Sequence, residues 1–270
     1  MERIASAIYL HALTPVHTGT GQTSASVIDM PIAREKATNW PMMPAPSLKG
    51  VLKASALEEV RTHLFGTEDR IGDLQFGDAR LLCFPVRSWS GVFAYLTCPL
   101  ALTRMRRDFT ALGIEVPFSC QVPVVGLDEA AVTSGNLLSG NKGEKIWLEE
   151  LELSATQSAE ADEIATGIAS RVFPSTNESP GFMRRFAIVA DDVFDFLTET
   201  ATEVTARIKM KTDGTKTVEN GGLWYEEAVP AEAIFVAPVL SSEPFKVTSP
   251  YLQIGGNETV GRGLCRVTVR

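Results

Sequence analysis

Ile4-Ala5-Ser6-Ala7-Ile8-Tyr9-Leu10-His11-Ala12-Leu13, halted by Thr14-Pro15, is the stretch from which the fold is read. Its weak alternation and its Ile, Tyr and Leu content describe a first core strand, and Thr-Pro sets a polar turn after it. Gly19-Thr20-Gly21-Gln22-Thr23-Ser24 follows, too small and polar to be packed core. In Val27-Ile28-Asp29-Met30-Pro31-Ile32 a single acid then sits among apolar neighbours.

Pro44-Ala45-Pro46-Ser47 introduces a helix, with Ser47 in the N-cap role and Leu48, Leu52, Ala56, Val60 and Leu64 as its core stripe. The opposite flank carries Lys49, Gly50 and Lys53 near the helix start, where unpaired amides attract anions and cations are disfavoured unless an outside phosphate joins them. Ala79 to Val86 reads as a buried strand, with Phe93 to Thr97 as its partner. A short helix bearing Arg104, Arg106 and Arg107 follows. Residues 113–143 are rich in Gly, Pro, Ser and Asn and read as loops with short strands. Ala161 to Phe173 and Ala190 to Val204 read as helices.

Val204 to Glu227 has the pattern of a long hairpin turning at Asp213-Gly214. Arg207, Lys209 and Lys211 fall on one side at period two, with Ile208 and Met210 on the other, so the ribbon presents cations and apolar wedges together. Ile254-Gly255-Gly256-Asn257-Glu258 to Gly261-Arg262-Gly263-Leu264-Cys265 is a glycine-rich loop between strand-like segments. Alone it is weak evidence for phosphate binding.

A formal net charge of -8 argues against a protein coated in nucleic acid, but the charge is segregated. Glu149, Glu150, Glu152, Glu160, Asp162 and Glu163 are all acidic. Arg34 to Lys53 holds four bases against Glu35, and Arg207 to Lys216 holds four against Asp213. Cys83, Cys98, Cys120 and Cys265 show neither zinc-ligand spacing nor a disulfide framework and read as buried thiols. No basic-then-apolar leader and no bilayer-length apolar run is present, so a cytoplasmic protein with no membrane partner is expected.

Five blocks in order resemble the RAMP (repeat-associated mysterious protein) superfamily, and within it the backbone subunit of type III-B CRISPR effector complexes. They are Leu10 to Gly19, Ile28 to Glu35, Pro44 to Lys53, Gly72 to Arg80 and Ile254 to Cys265. The resemblance implies a single α+β domain over 1–270, a modified RRM or ferredoxin-like core with loop insertions at 113–143 and a projecting thumb hairpin at 204–227. It also implies a guide RNA, a single-stranded target RNA, further copies of the chain in a helical filament, and other subunits of the complex. On that resemblance Arg34, Ser47, Lys49, Gly50, Lys53, Gly255, Gly256 and Arg262 are assigned to the guide, alongside the basic thumb residues Arg207, Lys209 and Lys211. Tyr225, Glu226 and Glu227 are assigned to target positioning.

The implied chemistry is cleavage of the target at regular intervals, by in-line attack of a 2′-hydroxyl, with a divalent metal, magnesium first. Asp29 matches the family's loop acid, either as a magnesium ligand or as the aligning base. Aspartate is a weak general base at neutral pH, which favours metal recruitment. His17 is a candidate acid or base, since imidazoles titrate near neutrality. Three other readings stand beside this one: a non-catalytic RNA scaffold of the same kind of complex, a guide-processing endonuclease, and an unrelated α+β metabolic enzyme.

Overall fold

The computed structural model describes residues 3–21, 27–140, 144–173, 177–211 and 217–270, apart from the side chains at 220 and 221. The Asp213-Gly214 turn and the whole Gln22 to Ser26 run lie outside the described residues. The chain is α+β, and its strands form one 12-stranded mixed sheet plus a two-stranded hairpin. Strand β1 (Ile4–Ala12) pairs antiparallel with β12 (Ile234–Ser241) on one side and with β14 (Leu264–Val269) on the other. Beyond β12 comes β4 (Ala79–Arg87), and beyond β14 the short β13 (Tyr251–Gln253).

Past β4 the sheet continues through β5 (Phe93–Thr97), β9 (Phe186–Val189), β6 (Glu129–Val132), β8 (Leu151–Gln157) and β7 (Lys145–Leu148). Two short strands, β2 (Met42–Met43) and β3 (Gln75–Phe76), add to β4 and β12. Within 113–140, expected as loops with short strands, the strand β6 is paired on both of its edges.

The weak alternation of β1 has a structural cause. The strand is central and covered on both faces, so both sets of alternate side chains are apolar. Ile8, Leu10 and Ala12 face one core with Leu48 and Leu52 of α1 (Ala45–Ser55) and Phe194 and Leu197 of α6 (Asp191–Thr200). Ala7 and Tyr9 face the other, with Leu102 and Met105 of α3 (Pro99–Leu112) and Ile164 and Ile168 of α4 (Ala159–Val172). A short α5 (Ser179–Met183) closes that second face through Phe182.

The single helix expected from Leu48 to Leu64 is two. Ala56 is extended, so α1 stops at Ser55 and α2 (Glu58–Phe65) starts afresh; Arg61 caps the released Ala56 carbonyl at 2.9 Å. Val60 is consequently exposed rather than core. Nor is Ser47 the N-cap. That position is Pro44, whose carbonyl accepts from Ser47 N, and the carboxylate of Asp78 accepts from Ala45 N at 2.8 Å. An acid from β3–β4 thus supplies the capping charge that the helix's own sequence lacks.

The hairpin expected at 204–227 is present as β10 (Glu203–Met210) and β11 (Val218–Ala228), paired from Glu203↔Ala228 with a bulge between Ile208 and Met210. It stands outside the main sheet.

Leu48 is fully buried whereas Leu57 is 61% exposed. Leu48→Ala is expected to cost about 2–5 kcal/mol in urea unfolding through transfer and cavity terms. Leu57→Ala is expected to stay within about 0.5 kcal/mol.

Candidate nucleic-acid interface

The site is built where β11 leaves the thumb. Three consecutive residues there each hold a different element. Tyr225 N donates to the Asp29 carboxylate at 2.8 Å, and Met30 N and O bond the backbone of Tyr225 and Glu227 at 3.0 Å each. The Asp29 segment is therefore laid along β11 as a parallel bridge, and its acid is held by a main-chain amide.

Glu226, 2% exposed, accepts from Asn257 Nδ2 at 2.6 Å and lies 3.5 Å from Arg262 Nε and 3.6 Å from Arg207 Nε. This joins the glycine-rich loop to the thumb base. Arg262 is itself buried and also donates to Thr205 Oγ1 at 3.0 Å. Near it, burial pushes the Glu203 carboxyl above its usual range, against the pull of the Arg262 charge.

Glu227, 3% exposed, accepts from Ile32 N at 3.1 Å, Arg34 Nη2 at 2.7 Å and Thr202 Oγ1 at 2.9 Å. The Arg34 guanidinium also donates to the carbonyls of Asn39 (2.8 Å) and Thr198 (3.2 Å). Arg34 and Arg262, read from sequence as phosphate contacts, are thus turned onto buried carboxylates. Glu226 and Glu227, assigned to target positioning, are buried and bonded within the protein's own framework. The sequence showed the residue types, but not that bases from residues 34 and 262 meet acids from 226 and 227.

His17, 4% exposed, donates from Nδ1 to the Glu227 carbonyl at 2.6 Å, and its own carbonyl accepts from Gly256 N at 2.9 Å. Two glycines make room for it. A Cβ on Gly19 would stand 2.6 Å from Nε2, and one on Gly255 (φ 87°) would stand 2.3 Å from the His17 carbonyl. His17 is a strut joining the 14–19 turn, β11 and the glycine-rich loop.

Downstream of Asp29, Glu35 is clasped by Arg104 through two bonds of 2.8 Å and by Arg80 Nε at 3.1 Å. Burial alone would raise the Glu35 carboxyl, but its bonds to Arg104 and Thr38 outweigh burial and hold it below the usual range. Trp40 packs edge-on to Phe194 at 5.0 Å and donates from Nε1 to Asp195 at 3.0 Å, fixing the end of this loop to α6.

What remains accessible is narrower than the sequence suggested. Ser47 and Gly50 are exposed on α1 and Lys49 is half-buried beside them, while Lys53 donates inward to the Gly66 carbonyl at 2.8 Å. Gly255 and Gly256 are exposed. On the thumb, Lys209 pairs with Glu219 at 2.9 Å, Lys211 is exposed, and Arg207 leans on Glu226. The opposite face of the ribbon is apolar and open, with Val204, Ile208, Met210, Leu223 and Tyr225 between 40% and 54% exposed. Among the described residues no three His, Cys, Asp or Glu side chains converge as a metal cage, and no helix is long and apolar enough to cross a membrane.

The RAMP superfamily profile matches residues 9–266. The chain is 36% identical to the CRISPR system Cmr endoribonuclease Cmr4 of Pyrococcus furiosus, over 97% of this chain and 94% of that one. A crystal structure of oligomeric Cmr4 from the same organism superposes with a TM-score of 0.77 at 30% identity, covering 98% of this chain and 97% of the other. A chain of the type III-B Cmr-beta complex bound to cognate target RNA shares the fold at TM-score 0.77 and 20% identity, covering 98% and 97%.

Two outcomes are expected. Glu227→Ala strands Arg34 without its carboxylate and lowers stability by about 3–5 kcal/mol in chemical denaturation, much of it recovered when Arg34→Met is added. Because the folded Glu35 carboxyl is depressed, its stabilisation is complete above the unfolded carboxyl pKa of about 4.3 and is lost as pH falls through the lower folded value. Glu35→Gln is therefore expected to flatten the acid limb of a melting-temperature against pH curve.

Proposed function

The chain belongs to the RAMP superfamily, and from that premise we propose that it is the backbone subunit of a type III-B CRISPR effector complex, an endoribonuclease that cuts target RNA paired to the guide. It assembles with further copies of itself and the other subunits along a guide RNA, and works in the cytoplasm. The observation that carries the catalytic assignment is the Asp29 carboxylate, held by the Tyr225 amide at the thumb base.

The core is a modified RRM or ferredoxin-like unit. The order β14-β1-β12-β4 supports this reading, with β1 and β4 both antiparallel to the β12 between them and joined by the α1–α2 crossover. The guide lies along the exposed start of α1, at Ser47, Lys49 and Gly50, and past Gly255 and Gly256. Lys209 and Lys211 add charge from the thumb. Guide pairing reads sequence, while the protein senses backbone shape.

In the reaction the 2′-hydroxyl gives up its proton as its oxygen bonds the adjacent phosphorus, the bond from phosphorus to the 5′-oxygen breaks, and the 5′-oxygen takes up a proton, leaving a 2′,3′-cyclic phosphate and a 5′-hydroxyl. The chain's main contribution is alignment. Tyr225 N occupies one lobe of Asp29 Oδ2, and among the described residues Oδ1 has no hydrogen bond, so one oxygen is oriented and the other is available. Tyr225, 41% exposed, offers its ring to the target at the thumb base. His17 acts as a positioning residue, since its Nδ1 proton is committed to the Glu227 carbonyl.

The oriented Asp29 carboxylate is an oxygen donor of the kind magnesium takes, and among the described residues no cage of three such side chains stands around it. Asp29 is the residue that would hold the ion. When bound, the ion neutralises charge on the phosphate oxygens.

Asp29→Asn keeps an oxygen for the Tyr225 amide and removes only the charge. In the reconstituted complex with magnesium, both Asp29→Asn and Asp29→Ala are expected to lower cutting of labelled target RNA at least 100-fold, with target binding within about twofold of wild type. Unchanged cutting by both variants would make this subunit a scaffold and overturn the assignment.

A further inference from the structure

On the face of the sheet opposite α1 and α6 lies a cleft of about 330 Å³ that the RNA-cutting role does not use. His11 from β1, Tyr95 from β5 and Glu232 from the β11–β12 turn meet at its floor. His11 Nε2 is 2.9 Å from Glu232 Oε2, and Tyr95 Oη donates to the same oxygen. Among the described residues Oε1 takes no hydrogen bond.

Burial would raise the Glu232 carboxyl, but the His11 and Tyr95 bonds outweigh it and hold the group below its usual range. Burial and the neighbouring Glu232 push the Tyr95 hydroxyl far up, so it stays a donor. Glu232 thus presents an ionised oxygen that can only accept.

Two features set this floor apart from ordinary core packing. Glu232 sits at φ 77°, in the left-handed region that a glutamate seldom adopts, with its amide tied to the Ala12 carbonyl at 2.7 Å. His11 is 4% exposed, lines the cleft, and has a buried Nδ1 with no partner. Hydrogen bonding at the floor is therefore incomplete in the free protein.

The walls are aromatic. Phe93 is 4.9 Å from Tyr95, Tyr95 is 4.7 Å from Phe182, and Phe182 is 5.3 Å from Phe173. One wall also carries a donor: Arg185 lies 5.5 Å over the Phe93 ring, with Nε on Gly91 O and Nη1 on Gly181 O, and among the described residues Nη2 is unassigned. Glu178, the other acid at the cleft, is closed off by two bonds of 2.7 and 2.9 Å from Arg266. An open carboxylate oxygen, a guanidinium donor and ring surfaces call for a flat, neutral ligand with N–H donors on one edge and acceptors on another.

We propose that this cleft is a nucleobase site that takes a guanine base, its N1–H and N2–H turned to Glu232 and its O6 and N7 to Arg185. Adenine and cytosine lack the ring N–H, and uracil lacks the second donor beside it. The shared chemistry admits a free guanine nucleotide or a guanine extruded from RNA.

The test is calorimetric titration of the purified full chain with GMP, IMP, AMP and UMP, and with single-stranded RNA containing one guanine or one inosine at a fixed position. Saturable binding of GMP at least tenfold tighter than AMP or UMP, weakened with IMP, assigns a free nucleotide. A guanine-over-inosine preference seen only in the oligonucleotide assigns an RNA base. In either case Glu232→Gln is expected to lose at least tenfold, with target cleavage by the complex unchanged. Phe93→Ala, at a half-buried ring, gives an independent loss should Glu232→Gln fold poorly. No guanine-dependent binding in either arm, or no effect of both substitutions, would overturn the proposal.

Discussion

Everything at the RNA-cutting end depends on the main chain of Tyr225-Glu226-Glu227 being held in one place. A two-stranded ribbon outside the main sheet has no intrinsic reason to keep its base fixed. Here the base is fixed because two adjacent buried glutamates turn to opposite sides of the strand, each toward an arginine, while the amide before them holds Asp29. The alternation of a strand, which usually separates core from solvent, here separates the 30s loop from the glycine-rich loop. Buried acid–base pairs are costly to desolvate, and their value lies in geometry: an unpaired member would be far worse than the pair, so the elements cannot drift apart one at a time.

The same arrangement explains how an acidic protein serves RNA. Two bases assigned to the guide are neutralised internally, Arg34 on Glu227 and Arg262 near Glu226, and Arg80 and Arg104 are likewise drawn onto Glu35. Of the bases assigned to the guide, those left accessible are chiefly the half-buried Lys49 and the thumb lysines. On the function proposed above, affinity for the backbone is distributed over many subunits, each contributing little.

Fold class was legible because it rests on local signals. The first strand, the hairpin at 204–227, the pair β4–β5 and the helices α3, α4 and α6 all follow from periodicity and turn chemistry. Where the reading failed, a distant residue decided the outcome. An unbroken apolar stripe gave no warning that Ala56 would be extended, and Ser47 lost the cap position because Pro44 precedes it and Asp78 reaches in from another strand. Within the site, the chain's own order exposed Asp29 as a lone acid in an apolar setting. It could not tell a guanidinium that meets phosphate from one that meets Glu227, because that difference is a contact across 193 residues. Asn257, a left-handed asparagine in the glycine-rich loop, went unremarked for the same reason, since its partner is Glu226.

The open apolar face of the thumb has a consequence for the life of the protein before assembly. Val204, Ile208, Met210, Leu223 and Tyr225 form a greasy strip on a ribbon that stands outside the main sheet and, among the described residues, has its β11 edge covered only at the base, by the Asp29–Met30 segment. In a newly made chain with no partner, such a strip favours clumping with its own kind. Lys209 and Glu219 on the other face, with Lys211 near the tip, keep part of the ribbon hydrated and make flush edge-to-edge stacking unfavourable. Solubility of the orphan subunit thus hangs on a few charges, and overproduction without its companions is the condition under which this chain should precipitate first.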